Sequence, residues 1–276
     1  MTEAAERRAD SAGGSAGEPF ALLRETPVPG PVPRYEIPGW RERFGVVAGI
    51  TGRGDGPGPG FDLGLGTREP VADVVGRWRK LRGAEPGFRA LVMSHQVHGA
   101  DLVWHLGSAG WVILDGVDGH LTLATGSLLA VTVADCVPVY LVVPSRGALG
   151  LLHAGWRGVA AGILERGVGE LVARLNVSPG DIVMHCGVGI CGQCYEVGSE
   201  VRERCGLSAE GPGPWRLDLR GLLAERAVRL GVREVTVSPW CSAHDRPRFY
   251  SHRASGGADG RMAGYLGRPE IPSRTH

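Results

Sequence analysis

The chain has 276 residues, 43% of them hydrophobic, and a formal net charge of +1. This length supports one large domain or two small ones with a sizeable core, and the near-neutral balance gives no electrostatic case for nucleic acid or an acidic membrane as a partner. No apolar run approaches the roughly 20 residues of a membrane span, and the first stretch, with Glu3, Glu6, Arg7, Arg8 and Asp10, lacks the apolar centre of a secretory signal.

Residues 1–36 carry no apolar period and are expected to form a disordered tail ending in the stiff run from Pro27 to Pro33. The catalytic domain is expected over residues 37–270. FGVVAGI, from Phe44, fits a buried strand, and the glycine-rich stretch 52–60 fits a loop. Helical spacing covers Val71 to Leu81. Short apolar or alternating runs at 91–95, 101–105, 111–115, 128–134, 138–143 and 148–154 predict strands. The period then turns helical from Val159 to Leu175, followed by a turn at Ser178-Pro179-Gly180. Strands at 181–189 and 232–238 flank a second amphipathic helix from Leu217 to Leu230. This mixture predicts an α+β fold with mixed sheets and flanking helices.

Three segments place a metal-capable side chain where a strand meets a loop: Gln96-Val97-His98-Gly99, Ala134-Asp135-Cys136-Val137-Pro138 and His153-Ala154-Gly155-Trp156-Arg157-Gly158. Two imidazoles and a thiol suit zinc, and three protein ligands leave a fourth position open, as catalytic sites do. Spacing alone does not single these residues out, because no two stand at a short ligand-pair interval. A buried thiol is commonly packing, and a histidine commonly a satisfied core residue. In a cytoplasmic chain the six cysteines stay reduced. The only lysine, Lys80, lies in a polar, arginine-rich segment ill suited to Schiff-base chemistry.

The combination QVHG, ADCVP, HAGWRG, CGVGICGQCYEVGSEV and FYSHR followed by Gly260-Arg261 resembles the laccase-domain or polyphenol oxidase family, from about Phe44 to Gly267. Members of that family are understood as zinc-dependent purine nucleoside phosphorylases. The resemblance implies that His98, Cys136 and His153 hold zinc in a single compact domain of two packed mixed β-sheets and outer helices. It also implies phosphorolysis of adenosine, inosine, guanosine and methylthioadenosine, with adenosine deamination beside it. Purine nucleosides and phosphate are then the partners. This chain has Gly187-Val188 where the family has Gly-Pro, and Cys241-Ser242 where it has Cys-Thr. Asp62-Leu63-Gly64 stands for Asn-Leu-Gly, and Arg77-Trp78 for an Asn-Arg pair. These departures touch the N-terminal substrate wall and spare the metal triad.

For deamination, an open zinc lowers the pKa of a bound water, and Asp135 is the candidate proton carrier, unless strand alternation points it away from Cys136. For phosphorolysis, cations must hold phosphate. Arg157, at a glycine-flanked helix start, and Arg53, in the glycine-rich loop, are the candidates. Trp156 is a core aromatic or a base-stacking platform. Cys191-Gly192-Gln193-Cys194 reads as half of a structural zinc site, with Cys205 or His185 to complete it, as a redox pair, or as a loop shaping the mouth of the site. His244 and His252 read as structural or peripheral.

Three other readings compete. Copper is the alternative metal for a polyphenol oxidase, since blue-copper sites also use two histidines and a cysteine; a multicopper oxidase, however, needs clustered H-x-H pairs, and the nine histidines here are dispersed. A cysteine hydrolase with Cys136 as nucleophile, editing cell-wall precursors, is the second. A non-enzymatic partner module is the third.

Overall fold

The run Val137–Val143 is apolar at every position, and both of its faces are used. In this computed structural model, which describes residues 19–54, 60–66 and 69–271, Val137, Val139, Leu141 and Val143 enter one core while Tyr140 and Val142 enter another. That alternation is the two-residue period of a strand. The strand pairs antiparallel with Ala148–Ala154 on one side and Val183–Cys186 on the other. The full sheet runs in the order Ala21–Leu22, Glu234–Val237, Val183–Cys186, Val137–Val143, Ala148–Ala154, Gly119–Thr122, Leu102–His105.

A second sheet runs Thr26–Val28, Arg34–Glu36, Val47–Thr51, Met262–Gly267, Ser127–Val133, Ala90–His95, Gly110–Asp115. Both sheets mix parallel with antiparallel neighbours. They stack face to face, with Tyr140, Val142, Leu149 and Leu151 of the first against Ile50, Leu129, Val131 and Leu266 of the second. Each fully buried aliphatic side chain there contributes about 1.5–3 kcal/mol. The Tyr140 hydroxyl donates to the Gly49 carbonyl at 2.7 Å, so its polar tip is satisfied within the layer.

Helices cover the outer faces. Ile163–Leu175 and Leu219–Arg229 lay Leu164, Val168, Leu171, Leu223 and Ala227 on the first sheet. Val71–Gly83 lays Val74, Trp78 and Leu81 on the second. The result is the expected single compact α+β domain, layered helix, sheet, sheet, helix. Among the described residues no helix is long and apolar enough to cross a membrane.

Some elements differ from the sequence reading. The tail expected over residues 1–36 lies outside the described residues up to residue 18, but from residue 19 it is built into both sheets. Ala21–Leu22 extends one sheet, and Thr26–Val28 and Arg34–Glu36 extend the other. Pro27 is tolerated because its strand is an edge, where a missing ladder donor costs little. Glu25 is buried and fixed, accepting from the Ser238 hydroxyl at 2.6 Å and bonded to His185 Nε2 at 3.1 Å. The single helical period from Val159 to Leu175 is two helices, Trp156–Ala160 and Ile163–Leu175, because Gly162 between them takes the left-handed conformation at φ 79°. The strands Gly119–Thr122 and Met262–Gly267, absent from the sequence reading, complete the two sheets.

Candidate active site

Cys136 and His153 meet because of strand register. Val137 pairs with Ala154 and Pro138 with His153, so Cys136, one residue before its strand, falls beside Gly155 at the open end of the hairpin. His98 arrives from the other sheet, in the loop after Ala90–His95. One ligand atom from each of the three lies within 4.8 Å of the others, and the two imidazoles cross edge to face with centroids 4.8 Å apart. Gly155 makes this possible. A Cβ there would stand 2.9 Å from His98 Cδ2 and 3.0 Å from Cys136 Sγ, so any side chain would push two of the three apart.

Asp118 organises the cluster, and the sequence reading missed it. Its carboxylate is fully buried. It accepts from the backbone N–H groups of Val97, His98 and Gly99 at 3.1, 3.0 and 2.7 Å. These three bonds hold the loop while His98 takes the left-handed conformation at φ 60°. A fourth bond, at 2.7 Å, joins His153 Nδ1, which leaves Nε2 of that ring as the nitrogen able to serve the cluster. Gln96 ties the same loop to the neighbouring strand through Thr132, accepting from its N–H at 2.7 Å and donating to its carbonyl at 2.9 Å. The only sequence signal for Asp118 is an acidic residue in a Gly-Val-Asp-Gly-His turn, too common to stand out.

The electrostatics follow from burial and contact. Burial opposes the charged form of Asp118, but the His153 hydrogen bond and the backbone donors outweigh it and hold its carboxyl below the ordinary value. Burial likewise pushes the Cys136 thiol up, and the His153 charge with hydrogen bonds from both imidazoles brings it down instead. His153 moves the other way, raised against its burial by the Cys136 thiolate and by Asp118. A thiolate flanked by two imidazoles, one of them aimed by a buried carboxylate, is a donor set suited to a borderline-soft divalent ion.

The cluster stands in the wall of a cavity of about 600 Å³, within the usual range for small-molecule sites. Arg157, Arg253 and Arg261 also line it. None of these guanidiniums pairs with a carboxylate among the described residues. Arg157 stacks on Trp156 at 4.4 Å, Arg253 donates to the Glu196 carbonyl at 2.6 Å, and Arg261 donates to the carbonyls of Asp259 and Gly260. The cavity is therefore rich in cations whose charge is not neutralised. Trp156, half-buried at its rim, and Tyr195 add aromatic surface.

The other expected residues divide. Arg157 and Asp135 reach the cavity. The Asp135 carboxylate is buried and already committed to three donors, the hydroxyls of Ser242 and Ser251 at 2.6 and 2.7 Å and the N–H of Arg253 at 2.6 Å. Arg53 is not among the residues lining the cavity; it pairs with Asp259 at 2.8 Å and stacks on Tyr250. His252, read as peripheral, lines the cavity together with Arg253 and Arg261. All three belong to the FYSHR and Gly-Arg motifs, whose function the spacing did not disclose. Asp62 and Arg77, where the chain departs from the family pattern, meet each other: Arg77 donates to the Asp62 carbonyl at 3.0 Å, and Asp62 accepts from the N–H of Gly64 and of Arg261.

Residues 44–269 match the family described as multi-copper polyphenol oxidoreductase laccase. The chain is 37% identical over 251 residues to the purine nucleoside phosphorylase YlmD of Geobacillus stearothermophilus, covering 82% of this chain and 91% of that protein. It is 35% identical over 228 residues to a purine nucleoside phosphorylase of Deinococcus radiodurans, covering 79% and 87% respectively. The crystal structure of YlmD from G. stearothermophilus superposes with a TM-score of 0.79 at 34% identity, over 89% of this chain and all of that one.

Proposed function

Because the chain belongs to the multi-copper polyphenol oxidoreductase laccase family, whose relatives here bear the name purine nucleoside phosphorylase, we propose that it is a zinc-dependent purine nucleoside phosphorylase. The observation that carries this reading is the pairing of a three-donor cluster with three guanidiniums free of carboxylate partners in one cavity. A phenol oxidase has no use for such a surplus of anion-binding charge, whereas phosphate needs it. His98, Cys136 and His153 hold the zinc ion. When bound, that ion supplies Lewis acidity, and with it a route to adenosine deamination as a side reaction.

In phosphorolysis a phosphate oxygen forms a bond to the anomeric ribose carbon as the glycosidic C–N bond breaks. The bonding electrons leave with the purine, which takes up a proton, and the products are free base and ribose 1-phosphate. Arg157, Arg253 and Arg261 hold the phosphate and offset its charge at the ring carbon. Trp156 and Tyr195 offer flat apolar surface to the base. Asp135 holds the backbone of Arg253 at the cavity wall, and its three donors suit an anchoring carboxylate better than a travelling proton carrier. Asp135→Asn tells these roles apart: a lost anchor weakens phosphate binding, while a lost proton carrier lowers turnover alone. The proposed substrates are adenosine, inosine, guanosine and methylthioadenosine.

One test decides the reading. Incubation with adenosine or inosine, with and without phosphate, should release free base and ribose 1-phosphate only when phosphate is present. Base release indifferent to phosphate, or none from any purine nucleoside, refutes it. The competing cysteine hydrolase is favoured by one observation, the hydrogen-bonded line Cys136, His153, Asp118. It requires that activity survive zinc removal and die on alkylation of Cys136.

A further inference from the structure

A second set of metal donors lies outside the cavity. Cys191, Cys194, Cys241 and His244 each offer one ligand atom within 4.8 Å of the others, and none of the four lines the cavity. The C-x-x-C of the sequence is thus half of a cluster, but its expected partners are not the actual ones. Cys205 is buried in the core with its thiol 3.8 Å from the Trp156 carbonyl, and His185 is held between Glu25 and Thr236. The other half is Cys241-Ser242-Ala243-His244.

Both halves have the same spacing and the same local shape. In the first, the N–H groups of Cys194 and Tyr195 return to the Cys191 carbonyl at 3.0 Å. In the second, Asp245 N–H returns to the Cys241 carbonyl at 2.8 Å. Each tight turn puts residues i and i+3 on one side. The two turns are registered by a parallel bridge between Gly189 and Cys241 and by Ser242 N–H donating to Gly189 at 3.1 Å. The N–H of Cys191 points at Cys241 Sγ at 3.3 Å, the support a metal-bound thiolate receives from its own backbone. His244 stands between the sulfurs, with ring nitrogens 3.7 and 3.1 Å from Cys191 and Cys194 Sγ.

We propose that these four residues bind a second zinc ion, in a closed Cys3His site that is structural rather than catalytic. Three thiolates and an imidazole fill a tetrahedron, with metal–sulfur bonds of about 2.3 Å and sulfurs therefore about 3.8 Å apart. The four donor atoms already stand within 4.8 Å of one another. No position is left for substrate or water. Binding converts the thiols to thiolates and releases their protons. The ion joins the loop carrying Ile190 and Tyr195 to the loop carrying His252 and Arg253, all four of which line the cavity. It therefore sets one wall of the cavity from behind. This site stands whether or not the phosphorylase reading holds.

The test is the zinc content of the full chain purified without added metal or chelator, beside Cys136→Ala, His244→Ala and His244→Cys. The wild type should hold two zinc ions per chain. Cys136→Ala and His244→Ala should each lose a different one, and His244→Cys should keep both. Full retention of zinc in Cys136→Ala would strike only the cavity site; no loss in His244→Ala overturns the proposal. Folding defects are bypassed by exchanging wild-type protein with cadmium-113. Two resonances, one in the thiolate-rich range, are expected. Absence of a resonance in the thiolate-rich range, or a Cys191–Cys194 disulfide in the native protein, overturns it.

Discussion

The two cysteine and histidine clusters are built from different parts of the fold. His98, Cys136 and His153 sit at strand ends of two stacked sheets, braced by a buried carboxylate, and face a cavity. Cys191, Cys194, Cys241 and His244 sit in two loops held by one bridge and a few turn bonds, away from the cavity. Three donors on a rigid frame leave a corner for a reactant; four donors on loops leave none but supply the rigidity the loops lack. Donor count and the stiffness of the support together separate a reacting centre from a staple.

The strongest attempt to break this contrast is Cys136→Ala. Phosphorolysis should fall by about 10³-fold or more, with one zinc lost and the loop zinc retained. Loss of both ions, by elemental analysis, would mean that the clusters are not independent. Next is Asp118→Asn, which should weaken zinc in the cavity by about 10–100-fold in competition with a chelator and leave the loop ion unmoved. An unchanged affinity would remove Asp118 from its positioning role.

Acid should act on the framed cluster. Behind Asp118, Ser94 Oγ stands 3.3 Å from His120 Nε2, and His120 Nδ1 lies 3.1 Å from His105. His120 is fully buried, and burial first, then the His105 charge, brings its pKa down to about 3. Protonation therefore favours the unfolded chain, and the penalty is absent well above pH 6.5 and grows as pH falls toward 3. Between pH 7 and pH 5 this one group should cost about 2 kcal/mol of stability. Denaturation of His120→Gln at both pH values should show a drop smaller by that amount; an equal drop would mean that His120 is not held neutral. The smallest expected contrast lies among the arginines. Arg157→Gln should raise the KM for phosphate by about tenfold, and Arg53→Gln by less than about twofold, because Arg53 is spent on Asp259. Reversal of that order would exchange their roles.

The central strands were legible because they are apolar on both faces, a pattern that needs no partner to be read. The three donors of the cavity were not legible from spacing. His98 joins the other two only through sheet stacking, and resemblance supplied what periodicity lacked. In hindsight the hairpin contains a clue: ADCVP and HAGWRG close one antiparallel pair, so Cys136 and His153 had to be neighbours. The C-x-x-C was visible, but its true partners depend on a bridge between Gly189 and Cys241, some fifty residues apart, which no local signal announces. The proline run at 27–33 reads as extended and unpaired; that edge positions accept proline is a fact of topology.

The burial of Glu25 has a consequence for how this chain is handled. The family match begins at residue 44, and an experimenter trimming to that boundary would discard three strands, among them one edge of each sheet, together with the carboxylate that faces His185. The shortened protein would present raw sheet borders and an orphaned imidazole in its interior, and it should clump rather than stay in solution. The length that folds is longer than the length that is recognised.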